Sequence, residues 1–233
     1  MSVRVAIGAL CALAIFSTSV RAATDPERRW VTLRSPHFAV HTYDGGQELA
    51  RQVAAYAEEA WKTLNPVLGW EPSETVHIRL VDDSDSSNGL ASVMPYPVIT
   101  IWAHPPPMDS DLADHTDWMR LLIFHEYAHI AHLDHATGIP RVLNRVFGKV
   151  IKPNAALPRW LTEGIATWAE SRHSPRGRLD SSRYRMMMRM AVLEQQAPSL
   201  AELTGKPLRP PRGDAWYLYG GHLVDQMVRD AGP

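Results

Sequence analysis

Apolar positions follow two regimes along the chain. Up to about residue 104, apart from one helical stretch, they alternate, or gather in short runs bounded by Pro, Gly, Asp and Ser. From about residue 116 they recur every three or four residues. WVTLRSPHFAVHTY (30–43) is two β-prone runs broken at Ser35-Pro36, which predicts a hairpin or a bent strand. From Gln47 to about Leu64, Leu49, Val53, Ala57 and Trp61 keep helical spacing. VHIRLVDD (76–83) alternates as a half-buried strand does, and DSDSSNG after it reads as a loop. PVITIWA (97–103) predicts another strand, and Pro95 and Pro97 place it at the edge of its sheet.

The later elements are helical. Thr116 or Asp117 can cap a helix running to about Ala136, ended by Gly138 and Pro140. Pro158 suits the first turn of a helix reaching about Ser171. Two more are expected over Ser181–Gln196 and Asp214–Arg229. Strands first and helices afterwards is the order of an α+β domain. The run MMMRM (186–190) reads as core or as a sticky helix face.

Composition adds exclusions. The 233 residues are 45% hydrophobic and 21% charged, with a net charge of −1 and no block of either sign. That patterning suits a globular domain and gives no footprint for nucleic acid. The N-terminus changes the expected compartment. MSVR precedes VAIGALCALAIF, and STSVRA then puts Val20 and Ala22 at small-residue cleavage positions. Residues 1–22 therefore read as a secretory signal peptide, with 23–233 as one domain in the periplasm or secreted. The apolar run is too short to span a bilayer comfortably, and no later run reaches that length. Cys11, the only cysteine, would leave with the signal, so a metal would have to be held by His, Asp or Glu.

HEYAHIAHLDH (125–135) concentrates that chemistry. His125 and His129 are four apart and share one helix face, so two imidazoles can meet one ion. Glu126 is turned about 100° away, beside the ion without binding it. This is the HExxH arrangement, in which zinc activates a water and the glutamate takes its proton. A third protein ligand has two candidates. His135 would complete a run like the metzincin motif, but that motif has Gly where this chain has His132. An unbroken helix carries His135 about 15 Å and His132 about 10 Å along the axis from His125. The other candidate is Glu163 in LPRWLTEGIATWAE (157–170). Gly164 follows it, and a helical glycine costs about 1 kcal/mol against alanine, so a close approach to the histidine helix is expected there.

Pairing HExxH with a downstream Pro-x-Trp-Leu-x-Glu-Gly resembles the gluzincin metalloproteases, specifically the peptidase-MA-like family. WYLYGGHLV (216–224) is similar to that family's Tyr-x-x-Gly tract, which extends the resemblance over residues 125–224. The resemblance implies a zincin-like fold: a small mixed sheet with an edge strand over the cleft, then a helical part carrying one zinc ion. His125, His129 and Glu163 would be the ligands and Glu126 the base of a peptidase acting on peptides or proteins. Relatives often continue into further domains, sometimes a β-propeller. The 34 residues from His129 to Glu163 exceed the spacing of the best-known gluzincins, and RVLNRVFGKVI within the extra segment predicts a short helix near the cleft. Tyr217, Tyr219 or His222 can be expected to donate to an oxyanion, and Thr167 to hydrogen-bond near the site, with core packing as the alternative for each. Glu170 reads as a solvated helix residue or as a support for a histidine, and Asp134 as a histidine partner or a helix end. A catalytically weak, zinc-containing binding module is the competing function.

Overall fold

The computed structural model describes residues 27–108, 110–174 and 176–232. The signal-peptide assignment to residues 1–22 lies outside the described residues. Strands β1 (Trp30–Arg34) and β2 (Phe38–Tyr43) form the hairpin expected around Ser35-Pro36. Helix α1 (Gln47–Leu68) crosses over to β3 (Val76–Val81), which lies parallel to β2. Strands β4 (Ser87–Ser92) and β5 (Val98–Ala103) complete a five-stranded mixed sheet in the order β1-β2-β3-β5-β4.

That order corrects two expectations. β5 is interior, parallel to β3 on one side and antiparallel to β4 on the other, so Val98–Trp102 is not the edge. Pro97 precedes the strand, so its missing donor falls outside the ladder, and its carbonyl still accepts from His77 at 2.9 Å. The edge on that side, β4, begins inside the stretch read as a loop. Its sequence, SNGLAS, is small and polar, and an edge strand needs little apolar patterning because only one side is paired.

One sheet face is dry. Phe38, Val40, Ile78, Ile99 and Ile101 alternate inward and meet Val53, Ala57 and Leu64 of α1. Against these lies α2 (Trp118–Asp134), begun where the Asp117 side chain accepts from Arg120 N at 3.3 Å. Nearly every α2 residue from Met119 to Ala131 is buried, His125 and Glu126 included, so this helix is enclosed on nearly all sides and central to the domain. Helix α3 (Gly138–Phe147) follows and buries none of its residues. Then come α4 (Arg159–His173), α5 (Ser182–Leu193), the short α6 (Leu200–Thr204) and α7 (Asp214–Ala231).

Helix α4 packs on α2 on one side and on α7 on the other. Gly164 has the close approach its position predicts, but the neighbour is Gly220 of α7, not the histidine helix. A Cβ on Gly164 would stand 2.6 Å from the Gly220 carbonyl, so only glycine lets these backbones cross. The methionine run is split: Met187 and Met188 pack against a second apolar cluster with Tyr184, Leu203 and Leu218, while Met186 and Met190 are exposed.

Candidate metal centre

α2 and α4 bring three side chains to one point. His125 Nε2 lies 3.2 Å from His129 Nε2. Glu163 Oε2 lies 3.5 Å from the first nitrogen and 3.3 Å from the second. Three ligands held about 2.0–2.1 Å from a tetrahedral ion stand about 3.4 Å apart, so the triangle has the size of a metal's coordination face. Glu163 Oε2 is buried and has no hydrogen-bond partner, and an orphaned carboxylate oxygen facing two imidazole nitrogens fits a cation. Among the described residues this is the group of His, Asp, Glu or Cys whose donor atoms can share an ion.

Two of the three side chains are held by a further contact. Glu163 Oε1 accepts from Arg159 Nε at 3.2 Å, one helical turn earlier on α4, and so aims Oε2 at the histidines. His125 Nδ1 lies 2.9 Å from Glu170 Oε2. A carboxylate there accepts a hydrogen bond from Nδ1–H, so in the neutral ring Nε2 is the lone-pair donor. Glu170 is fully buried, which settles its role against the solvated alternative. It stands two turns after Glu163, and that seven-residue spacing on one helix face was the available sign. Its other oxygen lies 2.9 Å from Arg178 Nε, and Asp111 Oδ2 lies 3.7 Å from the same nitrogen. Arg178 comes from a single turn after α4, in a Pro-Arg-Gly-Arg stretch with no periodicity, so local pattern could not mark it as buried.

The electrostatics follow from burial. Burial and Arg178 oppose charge on His125, but the Glu163 and Glu170 carboxylates that face it outweigh them and push it up to about 9. Burial alone would raise Glu163; the two histidines dominate and hold its carboxyl far below the usual range. Glu126 goes the other way: burial raises it, only partly opposed by His125 and His129. Its carboxylate lies under β4, where a Cβ on Gly89 would come 2.5 Å from Glu126 Oε1.

These groups line a cleft of about 540 Å³ between β4 and the helices α2, α4 and α7. Tyr217 lines it too, its ring 5.7 Å from that of His125, and burial and Glu163 push its phenol up to about 12. Tyr219, His222 and Thr167 do not line it. Tyr219 packs in the second apolar cluster. His222 stands among Asp225, Arg172 and Arg229, with burial lowering its pKa. Thr167 is wholly buried against Gly221 of α7, which is the packing alternative.

The later histidines turn away. α2 is unbroken through His132 and ends at Asp134. His132 is half-buried, its pKa lowered to about 4 by burial, His129 and His135. His135 stacks on Trp70 at 4.7 Å. Asp134 accepts from Lys149 Nζ at 2.5 Å and from Trp70 Nε1 at 3.3 Å, so it holds no histidine.

No family model matches the chain, and no curated protein matches it in sequence. The site's chemistry therefore rests on its own geometry.

Proposed function

We propose that the chain is a zinc-dependent peptidase of gluzincin type, with His125, His129 and Glu163 as ligands and Glu126 as the base. The observation that carries this reading is the triangle of donor atoms 3.2, 3.3 and 3.5 Å on a side, with the HExxH glutamate beside it in a substrate-sized cleft. Two imidazoles and one carboxylate are a donor set suited to catalytic zinc. Zinc supplies a Lewis acid for the scissile carbonyl and makes water acidic enough to deprotonate near pH 7.

The chain's own groups supply the rest. Glu126, lifted in pKa by its dry setting, takes the proton of the attacking water and delivers it to the departing amide nitrogen. The C–N bond breaks, and the carbonyl carbon keeps the water oxygen. Tyr217, protonated at any physiological pH, donates to the oxyanion formed on the way. An extended peptide can lie along β4, the edge that borders the cleft, and be held by its backbone. An N-terminal leader and export fit this reading, because an extracytoplasmic peptidase without cysteine ligands tolerates an oxidising compartment.

Cleavage of an unfolded protein such as casein tests it. Activity should vanish with chelator and return with zinc. Glu126→Gln should keep its metal and lose at least about 100-fold in turnover. Chelator-resistant cleavage, or an active Glu126→Gln, would sink the proposal. Zinc retention without any turnover in the wild type would favour the binding-module alternative.

A further inference from the structure

We propose that α3 docks the protein on a bilayer surface bearing anionic lipids. The inference does not depend on the peptidase reading. It starts from a helix that spends none of its apolar surface on the core: α3 has no buried residue. Ile139, Val142 and Val146, at helical spacing i, i+3, i+7, are 76%, 61% and 66% exposed, and Phe147 is 68% exposed. Val150, beyond the helix, is 53% exposed. Monomeric surfaces scatter such residues singly; here they form one row.

A second row lies next to the first. Arg141 and Arg145, one turn apart, are both exposed, and Lys152 is exposed just beyond. From residue 135 to residue 162 the chain contains no Asp or Glu. The acids that reach the segment from outside, Asp134 and Glu74, meet Lys149. An apolar row flanked by exposed cations is complementary to lipid tails beneath anionic headgroups. A second copy is a poor occupant, because a two-fold pairing of this face would set one arginine row near the other. No helix among the described residues is long and apolar enough to cross a membrane, so the contact is with the surface.

The helix is held in place by polar clips rather than by packing. Asn144 donates to Ile151 O at 2.6 Å and accepts from Val150 N and Ile151 N at 3.1 and 2.8 Å. Lys149 is bound to Asp134 at the end of α2, and Asn154 donates to His132 O at 2.7 Å. The apolar row therefore stays presented in water. The segment leaves α2 just after Leu133 and rejoins at Arg159, and both residues line the cleft. Docking would set the cleft mouth close to the membrane.

Co-sedimentation with vesicles tests this, using phosphatidylcholine with and without phosphatidylglycerol. The full chain should pellet with the anionic vesicles, less at high salt. Two surface variants share residues 1–22 with the wild type, so any contribution of those residues cancels. Val142→Ser/Val146→Ser should weaken binding about tenfold through lost apolar area. Arg141→Glu/Arg145→Glu should weaken it at least about tenfold on anionic vesicles. Circular dichroism and metal content should stay unchanged in both, since the altered side chains touch no core. Equal pelleting of wild type and both variants overturns the proposal. So does self-association that the serine variant abolishes in the absence of vesicle binding, which would assign the face to a second copy. Binding to a soluble protein that survives on neutral vesicles while anionic vesicles give none would likewise overturn it.

Discussion

Replacing Gly164 by alanine probes the crossing on which the metal centre depends. An added Cβ would lie 2.6 Å from the carbonyl carbon and oxygen of Gly220. Ordinary contact is about 3.5–4.0 Å, so α4 and α7 must part by about 1 Å. Overpacking of this kind costs about 1–3 kcal/mol. Alanine's better helix propensity offsets about 1 kcal/mol, leaving a net loss of up to about 2 kcal/mol. For a chain of this size that lowers Tm by up to about 8 °C. The metal should feel it more sharply. Glu163 is the preceding residue, and metal–ligand distances tolerate only about 0.2 Å. Thermal melts by circular dichroism and zinc competition against a chelator read the two effects. Gly213→Ala is the control, because nothing lies within 4 Å of a Cβ there. A Gly164→Ala protein with unchanged Tm and unchanged zinc affinity would refute the reasoning.

Other outcomes follow from the same geometry. Glu163→Ala should lose zinc and activity while His135→Ala, whose ring stacks on Trp70, keeps both; metal analysis of the two decides. Glu170→Gln leaves Arg178 buried with Asp111, 3.7 Å away, as its remaining carboxylate, and should cost about 3 kcal/mol in urea unfolding. A metal must displace the proton that His125 keeps up to about pH 9. Zinc affinity should therefore rise about tenfold per pH unit from 6.5 to 8.5, and a flat profile in buffered chelator competition would contradict the assignment.

The elements with strong periodicity were legible in the sequence. Phe38 to Tyr43, Val76 to Val81 and the helices around His125 and Glu163 lie within a few residues of their predicted bounds. The α+β order was legible for the same reason. Strand order was not: nothing local tells β5 that it will lie between β3 and β4, and SNGLAS carries no alternation to announce an edge. At the site, His125, Glu126 and His129 could be read because their spacing is local, whereas Glu163, 34 residues on, was named through the resemblance of its Trp-Leu-x-Glu-Gly stretch. Arg159 was within reach as the residue one turn before Glu163. Arg178, Asp111 and Gly89 reach the site only through tertiary packing, so no spacing along the chain marks them.

The interior around the triangle is out of electrical balance by itself. Glu126, Glu163 and Glu170 are buried there, and Arg178 is the buried base that answers them. Counting only these buried side chains, and leaving aside Arg159 and Asp111 at the rim, the balance is −2, which one divalent ion would cancel. His125 holds its proton more tightly than usual because the Glu163 and Glu170 carboxylates face it, and Glu126 because it is buried. A monovalent ion would leave the pocket anionic, and a trivalent one would overcharge it. If the proposed assignment holds, selectivity for valence would be set by the surrounding core before ligand softness or coordination number begins to choose among the divalent metals.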